Sequence, residues 1–147
     1  MKTLELTDRL KNRGFRITKQ RLSILEALME ANKPLTPKEI IFKVRKVTSA
    51  DKATIYRNLE FLLQNRIIKE VYFNDNYIRY ELAQKKHHHH IVCKGCSKII
   101  AVELRGVEEL ILKTEIKIQR KLRFKKIDHS IEFFGYCKNC ANLVSKR

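Results

Sequence analysis

Four cysteines and a run of four histidines carry the chemistry that this sequence can do. Cys93, Cys96, Cys137 and Cys140 form two Cys-x-x-Cys pairs, CKGC and CKNC, about forty residues apart. Two such knuckles can place four thiolates tetrahedrally around Zn²⁺, at about 2.3 Å each. The N-terminus, MKTLELTDRLKNRG, is charged throughout and shows no export signal. The expected setting is therefore the reducing cytoplasm, where structural disulfides are disfavoured. A thioredoxin-like dithiol would need one pair between a strand and a helix, not two. The reading is a structural zinc that staples separate elements together.

The histidines are His87, His88, His89 and His90, three residues before the first knuckle. In an extended segment successive side chains point to opposite faces. His87 and His89 then face one way, and His88 and His90 the other. One strand can thus offer two ligands to each of two metal sites. Imidazole suits Zn²⁺, Fe²⁺ and similar ions. Glu108 and His129 are candidate third and fourth ligands. A zinc hydrolase would need an open metal position and a general base. Glu81 or Glu108 could serve as that base, but no substrate pocket is suggested, and the chain is read as a non-enzyme.

The elements that must position these residues follow from periodicity. The first 83 residues predict helices and then a hairpin. A short helix over Thr3–Lys11 comes first. Thr18 caps a second, with Leu22, Leu25, Leu28 and Met29 at helical spacing as far as about Ala31. Thr36-Pro37-Lys38-Glu39 is a capping box with proline at the first helical position. The helix that it starts should bury Ile40, Ile41, Val44 and Val47. The next, Lys52–Gln64, should bury Ile55, Leu59, Leu62 and Leu63. Ile67–Phe73 and Tyr77–Leu82 read as strands around the turn Asn74-Asp75-Asn76. This is a winged helix-turn-helix. After Gln84-Lys85-Lys86, the expected joint, come a strand at Ile99–Glu103 and a helix through Val107, Leu110, Ile111, Ile118 and Leu122. A strand through Ile127, His129, Ile131 and Phe133 leads into Cys137. The class is α+β, with a winged-helix domain at 1–83 and a small αβ domain at 84–147.

Net charge supports a polyanion partner. The 147 residues carry 32 Lys plus Arg against 16 Asp plus Glu, or +16. No apolar run approaches the ~20 residues of a membrane span, so no membrane partner is expected. The buried face of Lys52–Gln64 leaves Lys52, Thr54, Tyr56, Arg57 and Asn58 outside. Arg can bond guanine, Asn can bond adenine, and Tyr can pack on a thymine methyl. Arg13, Arg16, Lys19 and Arg21 are placed to meet phosphates.

A winged helix with ATIYRNLEFLL, then YEL, HHHHIVCKGC and DHSIEFFGYCKNC, resembles the ferric uptake regulator family of metal-sensing repressors. The resemblance covers nearly the whole chain. It implies double-stranded DNA as partner, a homodimer formed through the C-terminal αβ domain, and structural Zn²⁺ on Cys93, Cys96, Cys137 and Cys140. It also implies a regulatory site of Glu81, His88 and His90 at the joint, and a second of His87, His89, Glu108 and His129. Tyr56 and Arg57 fall where the family reads bases, and Arg16 near its minor-groove contact.

The chain departs from the family in places. The loop Asn32-Lys33-Pro34 offers no His where members often have a joint ligand, and Ala101 stands where many have a carboxylate. Peroxide sensors typically use Asp at position 81, and iron sensors often use Asp at position 89; here these are Glu and His. The resulting expectation is a repressor of metal-uptake or metal-homeostasis genes that binds palindromic operators as a metal-loaded dimer. Its regulatory ion would be Fe²⁺ or Zn²⁺, with Mn²⁺ as a further option. The alternatives are a metal-independent DNA-binding regulator with only structural zinc, and a peroxide-sensing member of the family.

Overall fold

In the computed structural model, residues 3–83 and 87–144 are described. The chain divides into two compact units, 1–85 and 86–147. The residues read as the joint, Gln84-Lys85-Lys86, lie outside the described residues.

Side-chain caps set where three helices of the first unit begin. The order is α1 (Thr3–Asn12), α2 (Lys19–Glu30), α3 (Pro37–Arg45), α4 (Lys52–Gln64), β1 (Ile68–Tyr72) and β2 (Ile78–Leu82). Thr18 Oγ1 accepts from the Arg21 N–H at 3.2 Å. Thr36 and Glu39 close a reciprocal capping box, with Pro37 in the first turn. Asp51 Oδ1 accepts from the Thr54 N–H at 2.6 Å, and this bond holds the Asp51 carboxyl below the usual range. Each such cap contributes about 1 kcal/mol by satisfying an N–H that the helix cannot.

The core is the shared face of these helices. Ile24, Leu25, Leu28, Leu35, Ile40, Val44, Ile55, Leu59, Leu62 and Ile68 are fully buried together. The sequence reading differs at several positions, Ile41 among them, which is only partly buried. Ile24 is buried, whereas Leu22 and Met29 flank the core half-exposed. Leu63 is also only half-buried, one position off the inner stripe. Val47 is 55 % exposed, because α3 ends at Arg45 and the chain has left the helical repeat. The wing is β1 against β2 in antiparallel register, from Ile68 opposite Leu82 to Tyr72 opposite Ile78. Asn76 takes the left-handed conformation at its turn (φ 58°). Leu35 adds a short bridge to Tyr80, with both N–H groups paired.

The second unit holds β3 (His89–Cys93), β4 (Ile99–Val102), α5 (Arg105–Leu122), β5 (Glu132–Gly135) and α6 (Lys138–Val144). The sheet order is β4-β3-β5, with β3 antiparallel to β4 and parallel to β5. The strand expected from Ile127 begins only at Glu132. Its partner explains this: β5 pairs from His90 opposite Glu132 onward, and β3 itself starts at His89. Residues 127–131 have no strand to lie against. The helix α6, which starts at the second cysteine knuckle, was not anticipated. Among the described residues of this unit the buried apolar set is Val92, Cys93 and Ile99. No residue of α5 is buried.

Candidate metal centres and nucleic-acid face

The end of β3, the turn after it and the start of α6 bring the four cysteines together. Their sulfurs all lie within 4.8 Å of one another. A tetrahedron with 2.3 Å zinc–sulfur bonds has edges of about 3.8 Å. Cys96 Sγ and Cys137 Sγ are 3.8 Å apart. The first knuckle is anchored to β5 by the Lys94 N–H, which donates to the Gly135 carbonyl at 2.7 Å. Gly95 is required by close approach, since a Cβ there would lie 2.8 Å from Cys140 Sγ. The Cys137 N–H donates to Cys93 Sγ at 3.2 Å. That bond, followed by the backbone N–H groups of Cys96 and Gly95, pulls the Cys93 thiol down to about 6. Hydrogen bonding with Cys137 and then Cys93 pushes Cys140 up to about 12. Four thiols this close cannot all ionise without a cation among them, and the donor set fits Zn²⁺.

The alternation of the histidines holds even though His87 and His88 precede the strand. The His87 and His89 rings lie 4.8 Å apart on one side, and His88 and His90 lie 4.8 Å apart on the other. His87, His89, Glu108 and His129 converge, with their ligand atoms within 4.8 Å of one another. Metal–nitrogen bonds of about 2.0–2.1 Å in a tetrahedron imply edges of about 3.4 Å. His87 Nε2 is 3.3 Å from His89 Nε2 and 3.4 Å from Glu108 Oε2. His89 Nε2 lies 2.6 Å from Glu108 Oε1, and His129 Nε2 lies 3.8 Å from Glu108 Oε2. His129 Nε2 is buried and has no hydrogen-bond partner among the described residues. A cation at the centre of these atoms would satisfy it, so the residues fit a metal. Sequence reasoning missed Glu115, whose Oε1 lies 2.9 Å from His129 Nδ1. The available signal was its spacing. Seven residues after Glu108, two helical turns on, Glu115 shares that face of α5.

Of the joint set, Glu81 belongs to the first unit and His88 and His90 to the second. Glu81 is 1 % exposed on β2, opposite Lys69 of β1. Lys69 Nζ lies 3.2 Å from its Oε1.

On the first unit, α4 presents Lys52, Tyr56 and Arg57 to solvent. Lys52 Nζ sits 5.7 Å from the Tyr56 ring centre, and Arg57 Nη2 donates to Thr54 Oγ1 at 3.1 Å. Arg16 is exposed ahead of α2. Arg21 and Asn58 face each other instead. Arg21 Nε donates to Asn58 Oδ1 at 3.1 Å, and Arg21 Nη1 donates to the Arg16 carbonyl at 2.7 Å. The Arg21 guanidinium also lies 3.6 Å over the Phe61 ring, and Asn58 Nδ2 donates to the Thr54 carbonyl. These two side chains lock α4 against α2.

Comparison with known proteins agrees with this architecture. Residues 12–134 match the model of the "Ferric uptake regulator family". The chain is 32 % identical over 132 residues to the ferric uptake regulation protein of Helicobacter pylori strain 26695, covering 89 % of this chain and 85 % of that protein. It is 30 % identical over 138 residues to the peroxide operon regulator of Bacillus subtilis, covering 93 % and 92 %. A solved structure of the H. pylori ferric uptake regulator, described as revealing three functional metal binding sites, superposes with a TM-score of 0.75 at 28 % identity over 96 % of this chain and 95 % of that one. The winged helix, the two ligand clusters and these matches over most of the chain lead to one conclusion: the protein belongs to the ferric uptake regulator family.

Proposed function

We propose that this metal-responsive, DNA-binding regulator represses metal-uptake or metal-homeostasis genes in the cytoplasm, binding palindromic operators as a metal-loaded homodimer. The observation that carries the reading is the convergence of His87, His89, Glu108 and His129, in a chain that also carries a winged helix. Lys52, Thr54, Tyr56 and Arg57 of α4 read bases, and Arg16 meets the backbone or minor groove. Arg21 and Asn58 hold α4 at its angle. The exposed apolar side chains around α5 support a second copy of the chain as partner: Leu110, Leu112 and Leu122 are each more than half exposed. Apolar surface of that extent on one helix calls for cover.

When bound, a metal ion supplies positive charge and a fixed geometry that several side chains must share. Cys93, Cys96, Cys137 and Cys140 would hold zinc as a structural clamp. Glu81, His88 and His90 would hold the regulatory ion, one ligand from the first unit and two from the second. Gathering ligands from both units restricts how the reading heads sit, which favours the spacing that two operator half-sites demand. By linkage, DNA tightens metal binding by the factor with which metal tightens DNA binding. Three imidazoles to one carboxylate in the second centre favour Zn²⁺ or Fe²⁺ over Mn²⁺.

The test is removal of the labile metal by a chelator that leaves the cysteine-held zinc in place. Operator affinity, measured by fluorescence anisotropy, should fall about 100-fold, a coupling of about 2.7 kcal/mol. Unchanged affinity would sink the sensor reading and leave a regulator with structural zinc alone.

A further inference from the structure

The two ring nitrogens of His129 face different carboxylates. Nδ1 lies 2.9 Å from Glu115 Oε1, while Nε2 is buried among the ligand atoms of the second centre, 3.8 Å from Glu108 Oε2. The Glu115 side chain is only 16 % exposed. We infer that Glu115 is a positioning residue for this centre: it accepts the Nδ1–H of His129 and so leaves the Nε2 lone pair facing His87, His89 and Glu108. The inference rests on the reading of those four residues as a metal centre.

The chemistry follows from what each group can do. A carboxylate only accepts hydrogen bonds, so the facing ring nitrogen must be the donor. A neutral imidazole has one donor and one acceptor, so Nε2 becomes the acceptor. That is the atom the cluster surrounds. The bond also fixes the ring plane, which the loop between α5 and β5 does not do alone, since residues 127–131 form no strand. Charge points the same way. The four ligands carry one negative charge, that of Glu108, against a dication. Glu115 brings the second, at one remove, and orients the imidazole it touches. Two helical turns of α5 place Glu108 and Glu115 on one side, so a single helix supplies both a ligand and the support of another.

The experiment uses the full chain with its cysteine zinc retained and Co²⁺ as the probe. Affinity is measured by chelator competition and geometry by the visible ligand-field bands. The part of the signal lost in His89→Ala belongs to this centre. Glu115→Leu should weaken that part 10- to 100-fold and alter its bands. Glu115→Gln, which keeps an acceptor but not the charge, should keep wild-type bands and lose less affinity. In the metal-free protein, ¹⁵N NMR should show His129 protonated at Nδ1 in wild type but not in Glu115→Leu. If Glu115→Leu matches wild type in affinity, bands and tautomer, the inference about Glu115 is wrong. If His89→Ala loses no Co²⁺ signal, the metal-centre reading itself is wrong.

Discussion

Cys93→Ser should be purified without its tightly held zinc, as a monomer with its second unit largely unfolded. Metal analysis should show about one zinc fewer per chain, sedimentation should show loss of the dimer, and the unfolding midpoint should fall by more than about 10 °C. The reason is how little else holds this unit. Its buried apolar side chains among the described residues are Val92, Cys93 and Ile99, and no residue of α5 is buried. Chains of this size bury too little surface to fold securely and commonly need a metal or a partner subunit. The Cys137 N–H also holds the Cys93 thiol down to about 6, which favours its thiolate as a ligand. A serine hydroxyl stays protonated at neutral pH and offers a harder, shorter donor. The clamp joins the end of β3 to the start of α6, so its loss frees β5 from the sheet edge that it must meet in parallel. A stable, zinc-loaded dimer of Cys93→Ser would remove the four-cysteine clamp from the account.

The double substitution Tyr56→Ala with Arg57→Ala should cost about 3 kcal/mol of operator binding, roughly 150-fold, and leave binding to unrelated DNA nearly unchanged. Both side chains stand exposed on α4, outside the buried stripe of Ile55, Leu59 and Leu62. Neither contributes to the core, so the fold should survive, and circular dichroism can verify it. Arg57 can pair with guanine through two bonds, and the Tyr56 ring can cover a thymine methyl. The contrasting substitution is Arg16→Ala. If this exposed side chain meets the backbone, affinity should fall on every sequence alike, and the salt slope should flatten by about one. Equal losses on operator and random DNA in the double variant would show that α4 does not read bases. Arg21 and Asn58 are poor substitutes in such a test. Their mutual bond fixes α4 against α2, so changing either disturbs the fold and the DNA face together.

Much of this arrangement could be read directly from the chain. Its readable parts are local. Thr36 and Glu39 announce a helix start because a capping box spans four consecutive residues. The two sides of the histidine run follow from strand alternation, and His87 meets His89 and His88 meets His90 edge to face, as it requires. The two Cys-x-x-Cys spacings suit a knuckle whatever surrounds them. Glu108 and His129 were legible as ligands beside His87 and His89, and the folded chain brings the ligand atoms of all four within 4.8 Å of one another.

The remainder depends on contacts between segments far apart along the chain. The strand expected from Ile127 begins at Glu132, because pairing needs an edge and β3 offers one only from His89. Val47 lost its place in the core when α3 stopped at Arg45. Arg21 and Asn58 were read as facing DNA, yet 37 positions apart they bond to each other. Glu115 carried no sign of its partner, since His129 reaches it only after the chain reverses beyond α5. Ligand types, knuckle spacing and helix starts are set within a few residues, where covalent geometry leaves few options. Which nitrogen of His129 faces the metal cluster, and which basic side chains remain outside, is decided by the folded packing.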